Sequence, residues 1–207
     1  MKVNGYEIGN GAQLISADLQ AATLTGVDLT FANLVDANLF TADLAGATLN
    51  SAILVRANLS SANLTEANLN SAVLYGADLS GANLSGATLN STILTEAQLT
   101  GADLSGAALN PAILLKADLS GANLSGANLT SAVLHGADLS SANLAGANLT
   151  YANLADAQLA GADLSGVDLT FANLVDANFF EAIADELTRW PEGFDPVPAG
   201  VTIRPGA

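Results

Sequence analysis

ADLSGANLSGATLNSTILTEAQLTGADL, residues 77–104, places leucine at every fifth position from Leu79 to Leu104 and alanine two residues ahead of each, except at Thr92. Working outward from this stretch, the register runs unbroken from Leu14 to Leu174, 33 leucines in succession, and Phe179 continues it. The unit reads A-(D/N)-L-x-x, with only Val27, Thr92 and Val167 at the alanine position departing from it. Repetition this regular marks a stack of identical structural units.

Period five excludes the two common elements. On an α-helix five residues rotate about 140° beyond a full turn, so the leucines would scatter around the axis. On a continuous strand an odd spacing sends consecutive leucines to opposite faces. What remains is a chain that turns in the same sense after every five residues, with Ala and Leu inward and three positions outward. Ser-Gly pairs such as Ser80-Gly81 and Ser125-Gly126 suit those turns.

The number of sides is legible as well. The residue before leucine is usually Asp or Asn, but it is apolar at Ile53, Val73, Ile93, Ile113 and Val133, a spacing of twenty. Four units therefore make one coil. GVDLTFANLVDANLF at 26–40 recurs as GVDLTFANLVDANFF at 166–180, a displacement of 140 residues or seven coils.

On these residues the chain resembles the pentapeptide-repeat family, whose members form a right-handed quadrilateral β-helix. The expected fold is all-β, a solenoid of about eight coils over residues 12–179, preceded by an N-terminal cap at 1–11. The expected ending, at 180–207, is a capping α-helix and a Pro-rich tail. Asn178 can cap such a helix with Glu181 three residues on, and Phe180, Ile183, Ala184 and Leu187 share a face at helical spacing. The tail, TRWPEGFDPVPAG, offers Trp190 and Phe194 as apolar anchors, and resembles tails of cyanobacterial members. Val3, Tyr6 and Ile8 are the anchors expected of the N-terminal cap.

Charge bounds the partners. Twenty Asp and Glu face five Lys and Arg, a net charge of −15, which repels nucleic-acid backbones and anionic membranes. There is no cysteine, hence no disulfide and no thiolate ligand or nucleophile. No stretch has the length and apolarity of a membrane span or of a signal-peptide core, so the expected address is cytoplasmic.

Function must then use the outward positions. Ile53, Val73, Ile93, Ile113 and Val133, with Val55, Tyr75 and Leu115 just after leucine, line one face, and Phe31, Tyr151 and Phe171 lie alongside. Such a strip is a candidate protein-contact face, for a partner or for a second copy as a homodimer. The alternative is that β-branched residues merely favour extended backbone there.

The second constellation is acidic, with Asp118 and Asp138 stacked one coil apart. It is either a solubilising surface or a mimic of DNA, as the resemblance implies from quinolone-resistance members that occupy the DNA-binding surface of type II topoisomerases. An uninterrupted register leaves no projecting loop of the kind some of those members carry. His135, the single histidine, has no Ser-His-Asp set around it. Arg56, Lys116, Arg189 and Arg204 are scattered, so no phosphate cradle forms. The expectation is a non-catalytic acidic rod without cofactor, metal or small-molecule substrate, acting as an interaction or scaffold module.

Overall fold

The computed structural model describes residues 1–204. Each unit contributes one bridge residue, paired in parallel with the residue twenty positions on, as in Ile53↔Val73↔Ile93 and Asn63↔Asn83↔Asp103, except at the C-terminal end, where Asp168 pairs with Arg189. Four columns of bridges run the length of the rod, one per side. The bonds alternate direction: Leu74 N–H donates to the Ile93 carbonyl at 2.7 Å, and Val73 N–H donates back to the Ala52 carbonyl at 2.9 Å. Parallel pairing at a coil spacing of about 4.8 Å is the sheet solution to a chain that cannot reverse.

The corners explain the composition. At nearly every corner the Ala N–H closes on the Leu carbonyl three residues earlier, as Ala82 does on Leu79 at 3.0 Å, and the residue just before the alanine takes positive φ, as in a type II turn. Gly81 adopts φ 63° without penalty, whereas Ser71 adopts φ 59° against the preference of any residue with a Cβ. Pro111 is an exception, because its ring holds φ negative; Ala112 N–H makes no such bond to Leu109.

Inside, leucine and alanine form one unbroken core, with Leu34 through Leu124 fully buried or nearly so. Thr92 replaces an alanine at 0% exposure, and its hydroxyl donates to the Leu89 carbonyl at 2.6 Å, so the buried polar group is satisfied. Over the first coil folds a short antiparallel hairpin of strands β1 (Lys2–Val3) and β2 (Tyr6–Glu7). Ile8 is buried there, Val3 and Tyr6 pack on the core, and Asp18 N–H donates to the Tyr6 hydroxyl at 3.3 Å.

The C-terminal end corrects the expectation. Among the described residues there is no helix; Ile183–Asp185 forms strand β3, paired in parallel with strand β4, Thr202–Arg204. The five-residue register explains this, because Ala182 and Ala184 occupy the alanine and leucine positions of a further unit and are fully buried. Leu164 N–H donates to the Ile183 carbonyl at 2.7 Å and Ile183 N–H donates to the Ala162 carbonyl at 2.9 Å. A helix would forfeit those bonds and leave the coil beneath with an open edge.

The residues assigned to the helix therefore have other places. The Asn178 carboxamide oxygen accepts from Phe180 N–H at 3.0 Å, the same local turn seen between Asp78 and Ser80, and caps no helix. Phe180 and Leu187 are exposed, and Ile183 is an outward bridge residue of the strand. Trp190, read as an anchor of the tail, packs at this end: its ring meets Phe179 edge-on at 5.8 Å and stacks on Phe194 at 5.1 Å. Pro205, the last proline of the tail, lies outside the described residues.

Candidate functional site

The bridge column Ile53, Val73, Ile93, Ile113 and Val133 forms a continuous apolar ladder midway along one side. Ile53, Ile93 and Ile113 remain 36 to 39% exposed although each sits in a ladder, because their side chains point to solvent while their backbones pair. Val55 and Leu115, one position past leucine, are half-buried beside them, and Tyr75 is exposed. All eight residues read from the sequence as a contact strip thus share one side. The equivalent columns of the other three sides carry almost entirely Asp, Asn, Gln and Thr.

A charged rim borders the ladder along the corner that follows it. Arg56 donates from Nε and Nη2 to the two carboxylate oxygens of Asp36, each at 2.8 Å. This bidentate pair holds the Asp36 carboxyl below its usual range and raises Arg56. Tyr75 donates its hydroxyl to Glu96 at 2.9 Å, which pushes the phenol up, and His135 Nδ1 lies 3.4 Å from Asp156. Lys116 completes the rim. None of these pairs is visible in linear sequence, yet writing the chain in rows of twenty would have aligned Asp36 with Arg56.

On the opposite corner of the same side stand Phe31, Tyr151 and Phe171, each about 60% exposed. Tyr151 and Phe171 stack at 4.9 Å with planes 14° apart. All three adopt positive φ, 59°, 61° and 62°, the turn conformation least suited to a bulky side chain. That strain was missed in the sequence, although the turn position of each aromatic was its signal.

Asp118 and Asp138 are bridge partners on a neighbouring side. Each accepts from the backbone N–H two residues on, Ser120 and Ser140, and Asp118 also accepts from the Ser120 and Thr100 hydroxyls. Burial pushes the Asp118 carboxyl up, but these donors outweigh it and the group lies below its usual range. Among the described residues no three His, Cys, Asp or Glu gather as a metal would require. A shallow depression of about 350 Å³ lies where Pro191–Phe194 passes the last coil; its lining includes Asn173, Leu174, Val175 and Glu192. Among the described residues no helix is long and apolar enough to cross a membrane.

Comparison with functionally curated proteins finds no match. Among solved structures the chain is 37% identical to HetL, a pentapeptide repeat protein involved in heterocyst differentiation regulation from the cyanobacterium Nostoc sp. strain PCC 7120, over 86% of this chain and 84% of that one, with a TM-score of 0.46. A pentapeptide repeat protein of the Arabidopsis thaliana thylakoid lumen is 36% identical over 44% of this chain and 63% of its own, with a TM-score of 0.43. QnrB1, a plasmid-mediated fluoroquinolone resistance protein, is 18% identical over 93% and 91%, with a TM-score of 0.41. The model of the pentapeptide repeats matches at residues 10–44, 42–81, 72–110, 112–150 and 142–179, that is, over nearly the whole solenoid. The chain belongs to the pentapeptide-repeat family.

Proposed function

We propose that the protein is a non-catalytic, cytoplasmic interaction module that docks protein through the side bearing Ile53, Val73, Ile93, Ile113 and Val133. The observation that carries this reading is the asymmetry of the rod: four sides share one fold requirement, yet one alone spends its bridge positions on exposed aliphatic groups. A backbone preference for β-branched residues would act on all four sides equally. The hairpin at 1–11 and the tail after Phe179 serve in this reading as covers for the two ends. No cofactor, metal or small-molecule substrate enters it, since a convex rod offers no enclosed, desolvated cleft.

A photoreactive residue placed at Ile93 or Ile113 should form protein adducts in cells, and one at Ser125 on a polar side should not. The Ile93→Lys, Ile113→Lys double variant should lose those contacts while its circular dichroism is unchanged. Equal adducts from both sides would refute the assignment.

A second reading rests on the net charge of −15 and the Asp118–Asp138 ladder: the rod imitates the charge of DNA toward a DNA-binding enzyme such as a type II topoisomerase. Under this reading, Asp118→Asn with Asp138→Asn weakens inhibition of supercoiling, and added salt weakens it further. Inhibition indifferent to salt would rule it out.

A further inference from the structure

The two near-identical segments, 26–40 and 166–180, place the same residues on the contact side at opposite ends of the rod. A two-fold axis lying in that side, perpendicular to the rod and midway between Ile93 and Ile113, runs two copies antiparallel and brings each corner row onto itself in reverse order. Every residue then meets the one at the mirrored coil. Ile93 faces Ile113 of the second copy, Val73 faces Val133, and Phe31 faces Phe171.

The charged rim obeys the same mirror. Glu96 falls opposite Lys116, and Arg56 falls opposite Asp156, in both symmetry-related halves. Asp36 opposite Asp176 is the one like-charged match, and Arg56 already neutralises Asp36 at 2.8 Å. Sliding one copy by a single coil in either direction sets Glu96 against itself or Lys116 against itself, so the charges select this register. A shift of three coils that also pairs opposite charges carries Ile113 onto Asn33 and forfeits the apolar overlap.

The area suffices. One side accounts for roughly a quarter of the 8362 Å² surface, so burying half of it removes about 1,000 Å² per copy, where a stable interface needs about 800 Å².

We infer that the partner of this side is a second copy of the chain, bound antiparallel about an axis between Ile93 and Ile113 with Glu96 against Lys116 and Phe31 against Phe171. This rests on the reading of that side as a protein-contact surface and names its occupant.

Sedimentation of the full chain across a concentration series should show a species of twice the 20.7 kDa chain mass. Glu96→Lys or Lys116→Glu alone should weaken the dimer by about tenfold, and the two swaps combined should restore it to within about threefold. The chain has no cysteine, so Phe31→Cys mixed with Phe171→Cys should give an oxidised cross-linked dimer, and neither variant should link by itself. A rod that stays monomeric at about 100 µM, a dimer indifferent to both swaps, or self-linking of the Phe31→Cys variant would each overturn the inference. A monomer that still yields adducts to a different protein from Ile93 would overturn only this pairing and leave the contact side in place.

Discussion

The coils between Ala12 and Phe179 and the segment that follows them face one demand, covering an exposed sheet edge, and meet it differently. In the body each coil is covered by the next, so from Leu14 to Leu169 each register Leu N–H finds the carbonyl ahead of it, as Leu99 finds Asp118 at 2.6 Å. At the C-terminal end there is no next coil. The chain first continues the register through Ala182 and Ala184, then returns as β4 to cover β3, and lays Trp190 and Phe194 over Phe179. Repetition supplies stability cheaply in the interior, but the last unit must be closed by residues that do not repeat.

The largest expected effect tests the interior. Leu99→Ala removes a fully buried side chain between two rigid coils and should cost about 2 to 5 kcal/mol in chemical denaturation. The same change at Leu174, 9% exposed in the last coil, should cost clearly less, because the cavity can collapse or admit water. Equal losses would mean that the end is as closely packed as the middle.

Trp190→Ala attacks the closure itself. We expect a loss of about 2 kcal/mol and, in hydrogen exchange, faster opening of Ala182 to Asp185 than of amides near Leu99. Uniform acceleration along the rod would show that the tail stabilises the whole solenoid and not its end.

A smaller effect separates one corner from another. Ser71→Gly relieves a positive φ of 59° at an exposed turn and should raise stability by about 0.5 kcal/mol. Placing Ala at Gly81, φ 63°, should lower it by a similar amount.

The smallest effect is set by pH. Asp28, Asp43, Asp118 and Asp168 on the body and Asp185 at the end all lie below the ordinary value of 3.8. For most the cause is donation by nearby hydroxyl or backbone N–H groups; at Asp185 the Gly166 N–H is the leading one, at 2.8 Å. A depressed carboxyl stabilises the folded chain above the unfolded pKa, and that contribution is lost as pH falls through the folded value. The thermal midpoint should therefore drop below about pH 4. Asp185→Asn should blunt the part of that drop reported by exchange at the C-terminal end.

Most of the body was legible in the sequence, because a side-chain rule with period five and a second rule with period twenty overdetermine where every residue points. That the eight residues proposed as a contact face lie on one side was legible for the same reason. The end was not. Phe180, Ile183 and Leu187 fit a helical face by spacing, and Ala182 and Ala184 fit another solenoid unit equally well. Local pattern alone cannot choose between them.

What the sequence by itself determined is the repeat, the number of sides and the side on which apolar residues emerge, since each follows from spacing along the chain. Only the tertiary structure decided that Ile183–Asp185 is strand, that Arg56 grips Asp36, and that Trp190 and Phe194 cover Phe179. The reason is physical: an exposed coil edge draws a following segment into pairing, and the groups that demand it lie about twenty residues back in the chain, beyond the reach of any local preference.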